Sequence, residues 1–495
     1  MSGSSAGVRL MAQSATYMLG TVLMRGGNFL LIPVYTAFLT TTEYGAIGIL
    51  KQLAQLLMIL AMAGQGPALL KMGILDSPDS KHQATLTGSL FTYVGVAGLV
   101  LSSGVALLWP LLKPFLDDLP LWPIGIAALS AVMTMAMFEV GLASVRLRQQ
   151  AAEYTKLNLQ RWGFLLAGVG VFVVALGWGA HGLLIAISLS FLGGTVLAFR
   201  KLPTGSRIEL NPEILKKSLI YGLPIVPHAL SGILLQSADR VALAAGPGLA
   251  EVGRYTLAAN LASVVTVFAI GMHRAWTPFF LNQVRDEAVT GWDAVRRLSF
   301  FSIAAIGAVT IATAFSAPLL VGLASNADYA SAIPVISILA LAGFVQAYNL
   351  VASAVIFSKT SATRLIAFVS IPPAIINIGL NQHFVPQWGM MGAAYSTLCS
   401  TCLLALGGWI LARRTRRVPF KFGKAVAVLF MVAGCVCVGQ QLSWLVQVAL
   451  LLAYVGGLLL LDFRDIMGAI QSLQRQLRER RNGVPPADPT DGDAP

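Results

Sequence analysis

Five ionisable side chains stand inside long apolar runs of this sequence: Arg25, Lys51, Glu139, Asp239 and Arg240. Cations held there suit an anionic ligand, because Arg offers a carboxylate or phosphate two parallel N–H donors. Carboxylates held there suit a proton or a small cation. Arg25 is flanked by Gly26 and Gly27, which leave room for a ligand beside the guanidinium. Lys51 shares a helical face with Gln55 and is long enough to snorkel toward a surface. Glu139 either pairs with Arg25 or takes up a proton. Asp239 and Arg240 are neighbours, so on a helix they point about 100° apart and are not expected to form one simple ion pair. His228 follows Pro224 and Pro227 and reads as a proton carrier or as a hydrogen-bonded core histidine. Arg254 and Arg274 open and close one apolar run, as interface anchors or as further contacts for an anion.

The elements that must hold these groups follow from composition. Of 495 residues, 56% are hydrophobic and 11% charged, against about 25% charged in soluble proteins. A spanning helix needs about 20 mostly apolar residues. Fourteen such runs are centred near residues 25, 55, 97, 131, 168, 190, 230, 262, 309, 343, 374, 400, 431 and 453. The predicted fold is therefore an all-α polytopic membrane protein, with the first run retained as a span after a short polar leader. Of the 34 Lys and Arg residues, 29 fall at the N-terminus, after even-numbered spans or at the C-terminus. Two, Lys113 and Arg254, fall after odd-numbered spans, and Arg25, Lys51 and Arg240 lie within spans. That split predicts cytoplasmic N- and C-termini. It also explains the net charge of +13 without nucleic acid. At span centres, Arg, Lys or Asp each opposes insertion by roughly 2.5–3.5 kcal/mol, so such residues are functional candidates.

The chain repeats itself. Glu43-Tyr44-Gly45, followed by Gln52-Leu53-Ala54, recurs 208 residues later as Glu251-Val252-Gly253, followed by Asn260-Leu261-Ala262. An even number of spans between the copies makes them parallel repeats, a transporter arrangement. The expected organisation is a six-helix lobe over 1–199, a cytoplasmic linker over 200–217 and a second six-helix lobe over 218–412. Two additional spans follow over 413–462, then a basic amphipathic helix and a disordered tail over 463–495. Pro224, Pro227, Pro372 and Pro373 are expected to bend spans seven and eleven. Cys399, Cys402, Cys435 and Cys437 lie in apolar spans and read as packing. No HExxH, GxSxG, DxD or Walker A motif occurs. The outer loops are short, so an enzyme is not expected, nor a bound metal or cofactor.

Leu39-Thr40-Thr41-Thr42-Glu43-Tyr44-Gly45 and the later Asp239-Arg240 with Val252-Gly253-Arg254-Tyr255 resemble signatures of the Wzx-type O-antigen and exopolysaccharide flippases. Pro278 stands where their second-half proline is expected. These flippases belong to the MOP superfamily, together with multidrug MATE exporters and the lipid II flippase. The resemblance covers about residues 10–410. It implies a non-enzymatic flippase of the bacterial inner membrane that moves an undecaprenyl-diphosphate-linked oligosaccharide to the outer leaflet by alternating access. Arg25 and Lys51 resemble, by position, cationic residues of lipid II flippases. With Arg240, Arg254 and Arg274 they form the expected substrate-binding set, while Glu139, Asp239 and His228 are expected to couple transport to an H⁺ or Na⁺ gradient. Implied partners are the lipid-linked oligosaccharide, membrane lipid, a polysaccharide polymerase and a chain-length regulator. The alternatives are a MATE-like exporter of small cationic compounds, which calls for an acidic cavity, and a non-transporting assembly or scramblase component.

Overall fold

The computed structural model describes residues 29–76, 80–116, 119–286, 292–325, 327–359, 365–416, 422–439 and 442–458. The described part is helical. The first lobe comprises α1 (Phe29–Phe38), α2 (Thr41–Met62), α3 (Ser80–Leu107), α4 (Ile126–Leu147), α5 (Ala151–Gly168) and α6 (Gly179–Phe199). The second comprises α7 (Val226–Ala245), α8 (Leu249–Asp286), α9 (Trp292–Phe315), α10 (Ile333–Phe357) and α11 (Ile366–Thr415). Then come α12 (Phe422–Gly439) and α13 (Trp444–Leu458). Among the described residues ten helices are long and apolar enough to cross a membrane, and α1, α12 and α13 are shorter apolar helices.

One of the ten is two spans in succession. The 50 residues of α11 would reach about 75 Å as one rod, over twice the roughly 30 Å hydrocarbon thickness. The rod breaks at Gly389, whose φ of 54° and ψ of −130° suit only a residue without Cβ. Counting α11 twice brings the apolar helices to the fourteen runs read from the sequence. The expected bend near Pro224 is present, since a 3₁₀ turn at Leu223–Ile225 joins the helix Pro212–Gly222 to α7.

Helix starts follow their capping chemistry. The Thr40 hydroxyl accepts the Glu43 amide at 3.2 Å, and the Glu43 carboxylate accepts the Thr40 amide at 2.9 Å. This reciprocal cap begins α2. Another Glu43 oxygen accepts the Ala180 amide at 3.2 Å, so the same carboxylate ties α2 to the start of α6. At its far end α2 stops at Ala63 and Gly64, both with positive φ.

The repeated motif is where the lobes meet. A Cβ on Gly45 would stand 1.9 Å from the Leu249 carbonyl oxygen, and one on Gly253 would stand 1.9 Å from that of Thr41. Both pairs are related by the same 208-residue offset. One turn on, a Cβ on Gly48 would stand 2.5 Å from the hydroxyl of Thr256, again its repeat partner. Reciprocal contact of this kind marks a local two-fold axis. Without side chains at the crossing, the backbones of α2 and α8 can touch. The far end of α2 is seated in a similar way, because a Cβ on Gly222 would lie 2.4 Å from the Ala63 carbonyl oxygen. One buried apolar core runs through both lobes and out to Val432 and Tyr454 of α12 and α13.

Candidate functional site

Between these two glycine seats, α2 presents polar residues to the second lobe. The Ser237 hydroxyl of α7 donates to Gln52 Oε1 at 3.1 Å, and Asn260 Nδ2 of α8 donates to the Tyr44 hydroxyl at 2.8 Å. Gln52 and Asn260 are repeat partners, so each lobe lends the other one amide. Buried polar groups need such partners, since an unmade hydrogen bond there costs about 1–3 kcal/mol.

Asp239 and Arg240 lie behind this frame, at 3% and 8% exposure. The carboxylate accepts the Arg240 amide at 2.8 Å and the hydroxyl of Tyr255 on α8. Tyr255 in turn lies 3.5 Å from the Thr397 hydroxyl of α11. Arg240 Nη1 donates to the Gln236 carbonyl at 2.6 Å, and the guanidinium lies 5.6 Å over the Tyr255 ring. The two neighbours also make an ion pair at 3.4 Å, which corrects the expectation that they would not. Both side chains fold toward Tyr255, so the 100° between their Cα–Cβ directions does not keep the charged ends apart. Together they fasten α7 to α8. Arg240 Nε has no partner among the described residues.

Lys51 behaves differently. It is exposed, yet both Arg240 of the second lobe and Arg161 of the first act on it electrostatically. No hydrogen bond or ion pair holds its ammonium among the described residues. Arg161 corrects the cation sorting: counted among the inner-face residues after span four, it lies on α5 inside the candidate span Ala151–Ala175. Its guanidinium sits 4.5 Å over Phe191 and 5.9 Å over Phe138, a cation–π arrangement that leaves the N–H edge available. Glu139, half-buried on α4, has Arg146 and Arg161 as its charged neighbours. Its expected partner Arg25 lies outside the described residues.

The remaining candidates do not join this group. His228 Nδ1 lies 3.0 Å from the Ser370 hydroxyl of α11, a core contact between α7 and α11. Arg254 pairs with Glu251 and donates from Nε to the Asp328 carbonyl at 2.9 Å, at the motif end of α8. Arg274 is on α8, with its side chain outside the described part, as is that of Pro278. The structure thus sets Lys51 on α2, the helix whose Tyr44 and Gln52 bond Asn260 and Ser237 of the second lobe; it buries Asp239 and Arg240 with Tyr255 inside the second lobe and keeps Glu139 with Arg161 inside the first. The signal that could have found Arg161 is spacing: with Phe164 and Leu165 it continues a helical stripe begun at Leu157 and Asn158.

The family model described as "Polysaccharide biosynthesis protein" matches residues 10–283, more than half of the chain. The chain belongs to the polysaccharide biosynthesis protein family. In this family member the matched stretch carries the first lobe, α7 and nearly all of α8, including both copies of the repeated motif. No curated protein matches the sequence. Among solved structures, an inward-facing multidrug resistance MATE family transporter of the MOP superfamily is similar, at TM-score 0.63 and 16% identity, covering 84% of this chain and 98% of that one. An outward-facing form of such a transporter gives 0.55 at 18% identity, covering 85% and 96%. The Vibrio cholerae MATE transporter VcmN in the bent form gives 0.57 at 15%, covering 83% and 97%. At these identities the likeness is one of fold. The polysaccharide biosynthesis family member therefore has the fold of MOP-superfamily transporters.

Proposed function

We propose that this protein moves a lipid-diphosphate-linked oligosaccharide from the cytoplasmic to the outer leaflet of the bacterial inner membrane by alternating access. The observation that carries this reading is Lys51, an exposed cation of α2 with no ion-pair partner among the described residues and with Arg161 and Arg240 within electrostatic reach. A diphosphate supplies the missing anion, and Arg161 offers it two parallel donors. Arg25, by its place in the sequence, joins the same set. Gln52, Ser237, Tyr44 and Asn260 supply donors and acceptors that suit sugar hydroxyls. The polyprenyl tail stays in lipid, so the cavity need accept only the polar head.

Glu139 is the coupling candidate with an open carboxylate, for H⁺ or Na⁺, since that of Asp239 is occupied by Tyr255 and Arg240. A cation exporter is disfavoured by the same charges, because the accessible group between the lobes is an ammonium. The polymerase and chain-length regulator would take the product at the outer surface. The test is a deletion strain complemented with variants. Lys51→Ala and Arg161→Ala should each cut export of the surface polymer at least tenfold and cause a lipid-linked repeat unit to accumulate on the inner leaflet. Lys51→Arg should restore export. Full export by both alanine variants at normal membrane abundance would remove these residues from the substrate site.

A further inference from the structure

A cavity of about 280 Å³ lies in the seam between α12 and the second lobe, with none of the charged candidates Lys51, Glu139, Arg161 and Arg240 in its wall. Its walls come from α9, α10, α11 and α12. Ile303, Val345, Cys402, Ala405 and Leu406 give it an apolar interior. Two hydroxyls in the wall are held by neighbouring backbone: Tyr348 donates to the Ala425 carbonyl at 2.7 Å and Ser299 to that of Val295 at 2.7 Å. From Arg296 to Ile303 the slot advances seven residues along α9, about 10 Å at 1.5 Å per residue. One leaflet's hydrocarbon is roughly 15 Å deep, so the slot takes most of that depth.

The mouth has the opposite character. Arg296, Arg297 and Lys424 line it, and no Asp or Glu is among its described lining residues. Lys424 also stands 5.4 Å over the Phe300 ring. Lys424 belongs to the first turn of α12, whose N-terminal dipole adds to the positive field, and Arg296 and Arg297 follow in the second turn of α9. This end of the bundle carries the basic loops, which places it at the anionic cytoplasmic leaflet.

We infer that this slot is a binding site for an anionic phospholipid, with one acyl chain between α12 and the lobe and the phosphate at Arg296, Arg297 and Lys424. Cationic pockets between spans on this side of a membrane are suited to such headgroups. The lipid fills the seam that joins α12 to the rest of the bundle. It is separate from the transported lipid, whose charged head belongs between the lobes.

The experiment is native mass spectrometry of the delipidated full-length protein, after addition of phosphatidylglycerol, phosphatidylcholine or undecaprenyl phosphate of matched concentration. Phosphatidylglycerol should be retained preferentially. The triple variant Arg296→Gln, Arg297→Gln, Lys424→Gln should bind it about 100-fold more weakly, from about tenfold or less per charge near the surface. Ala405→Phe, which fills the slot and leaves the mouth intact, should also lose the lipid. Equal retention of phosphatidylcholine, unchanged binding by either variant, or displacement by undecaprenyl phosphate at equal concentration would overturn the assignment. The comparison of the three lipids on the wild-type protein decides the matter even where a variant does not fold.

Discussion

Gly45→Ala and Gly222→Ala should push the protein in opposite directions. Alternating access requires the lobes to part at one end of α2 while they stay closed at the other. At the motif end, the added Cβ of Gly45→Ala would lie 1.9 Å from the Leu249 carbonyl oxygen, whereas ordinary contact begins at 3.4 Å. The backbones must therefore separate by about 1.5 Å, from the difference of those distances. No rotamer change can relieve a clash between a methyl and main chain. Overpacking of this kind costs typically 1–3 kcal/mol, and the cost falls on the closed arrangement alone. The population of the form open at the motif end should rise by roughly 5- to 150-fold. Gly222→Ala puts its Cβ 2.4 Å from the Ala63 carbonyl oxygen and should favour opening at the other end. The assay is labelling of Gln55→Cys by an impermeant maleimide, in membrane vesicles of each orientation. Gly45→Ala should speed labelling from the outer side and Gly222→Ala from the inner side. Because Gly45 and Gly253 share one contact, Gly253→Ala should reproduce Gly45→Ala, and the double variant should fall short of additivity. Unchanged labelling in well-expressed variants would refute the idea that these seats hold the ends closed.

Two further outcomes test the local chemistry. Tyr255→Phe leaves the buried Asp239 carboxylate without its hydroxyl donor and should lower unfolding stability by about 1–3 kcal/mol, read as a lower melting temperature in detergent, with Lys51 accessibility unchanged. Glu43→Ala removes the acceptor for the Thr40 amide, one half of the reciprocal cap of α2, and the acceptor for the Ala180 amide, with an expected loss of about 1–2 kcal/mol and faster hydrogen exchange at the first turns of α2 and α6. Glu43→Gln, which keeps an acceptor oxygen, should recover part of that loss.

Much of the bundle was legible because lipid imposes a simple rule: each span must be long, apolar and internally hydrogen-bonded. That rule located the helices, and the repeat divided them into two blocks, while the contact that its glycines make between the lobes emerged only in the fold. The site was legible only in part. Lys51 and Glu139 stood out because apolar residues surround them in sequence. Arg161 did not, because Glu153, Lys156 and Gln160 precede it and give α5 the look of a polar loop. In the fold, Phe138 and Phe191, from α4 and α6, enclose it. The pairing of Asp239 with Tyr255 was hidden for a related reason: 16 residues and a turn between two helices separate them. Charge sorting by sequence sees depth, while partnership depends on which helix lies alongside.

The crossing of α2 and α8 also bears on how such a two-lobed protein can vary. Were each lobe a separate identical chain, every residue on the axis would face its own copy, and a change at one position would strike both sides at once. A threonine facing a threonine would crowd the crossing, and a glycine facing a glycine would leave a gap. Joining the lobes in one chain frees the two sides to differ, as Gly48 and Thr256 do. The same freedom lets Gln52 reach Ser237 while its counterpart Asn260 reaches Tyr44. A dimer of identical subunits would have to build the same half-site twice. This chain can carry an exposed ammonium on the first lobe and a buried carboxylate, held by a tyrosine hydroxyl, on the second, so the two sides of the crossing differ in charge as well as in shape.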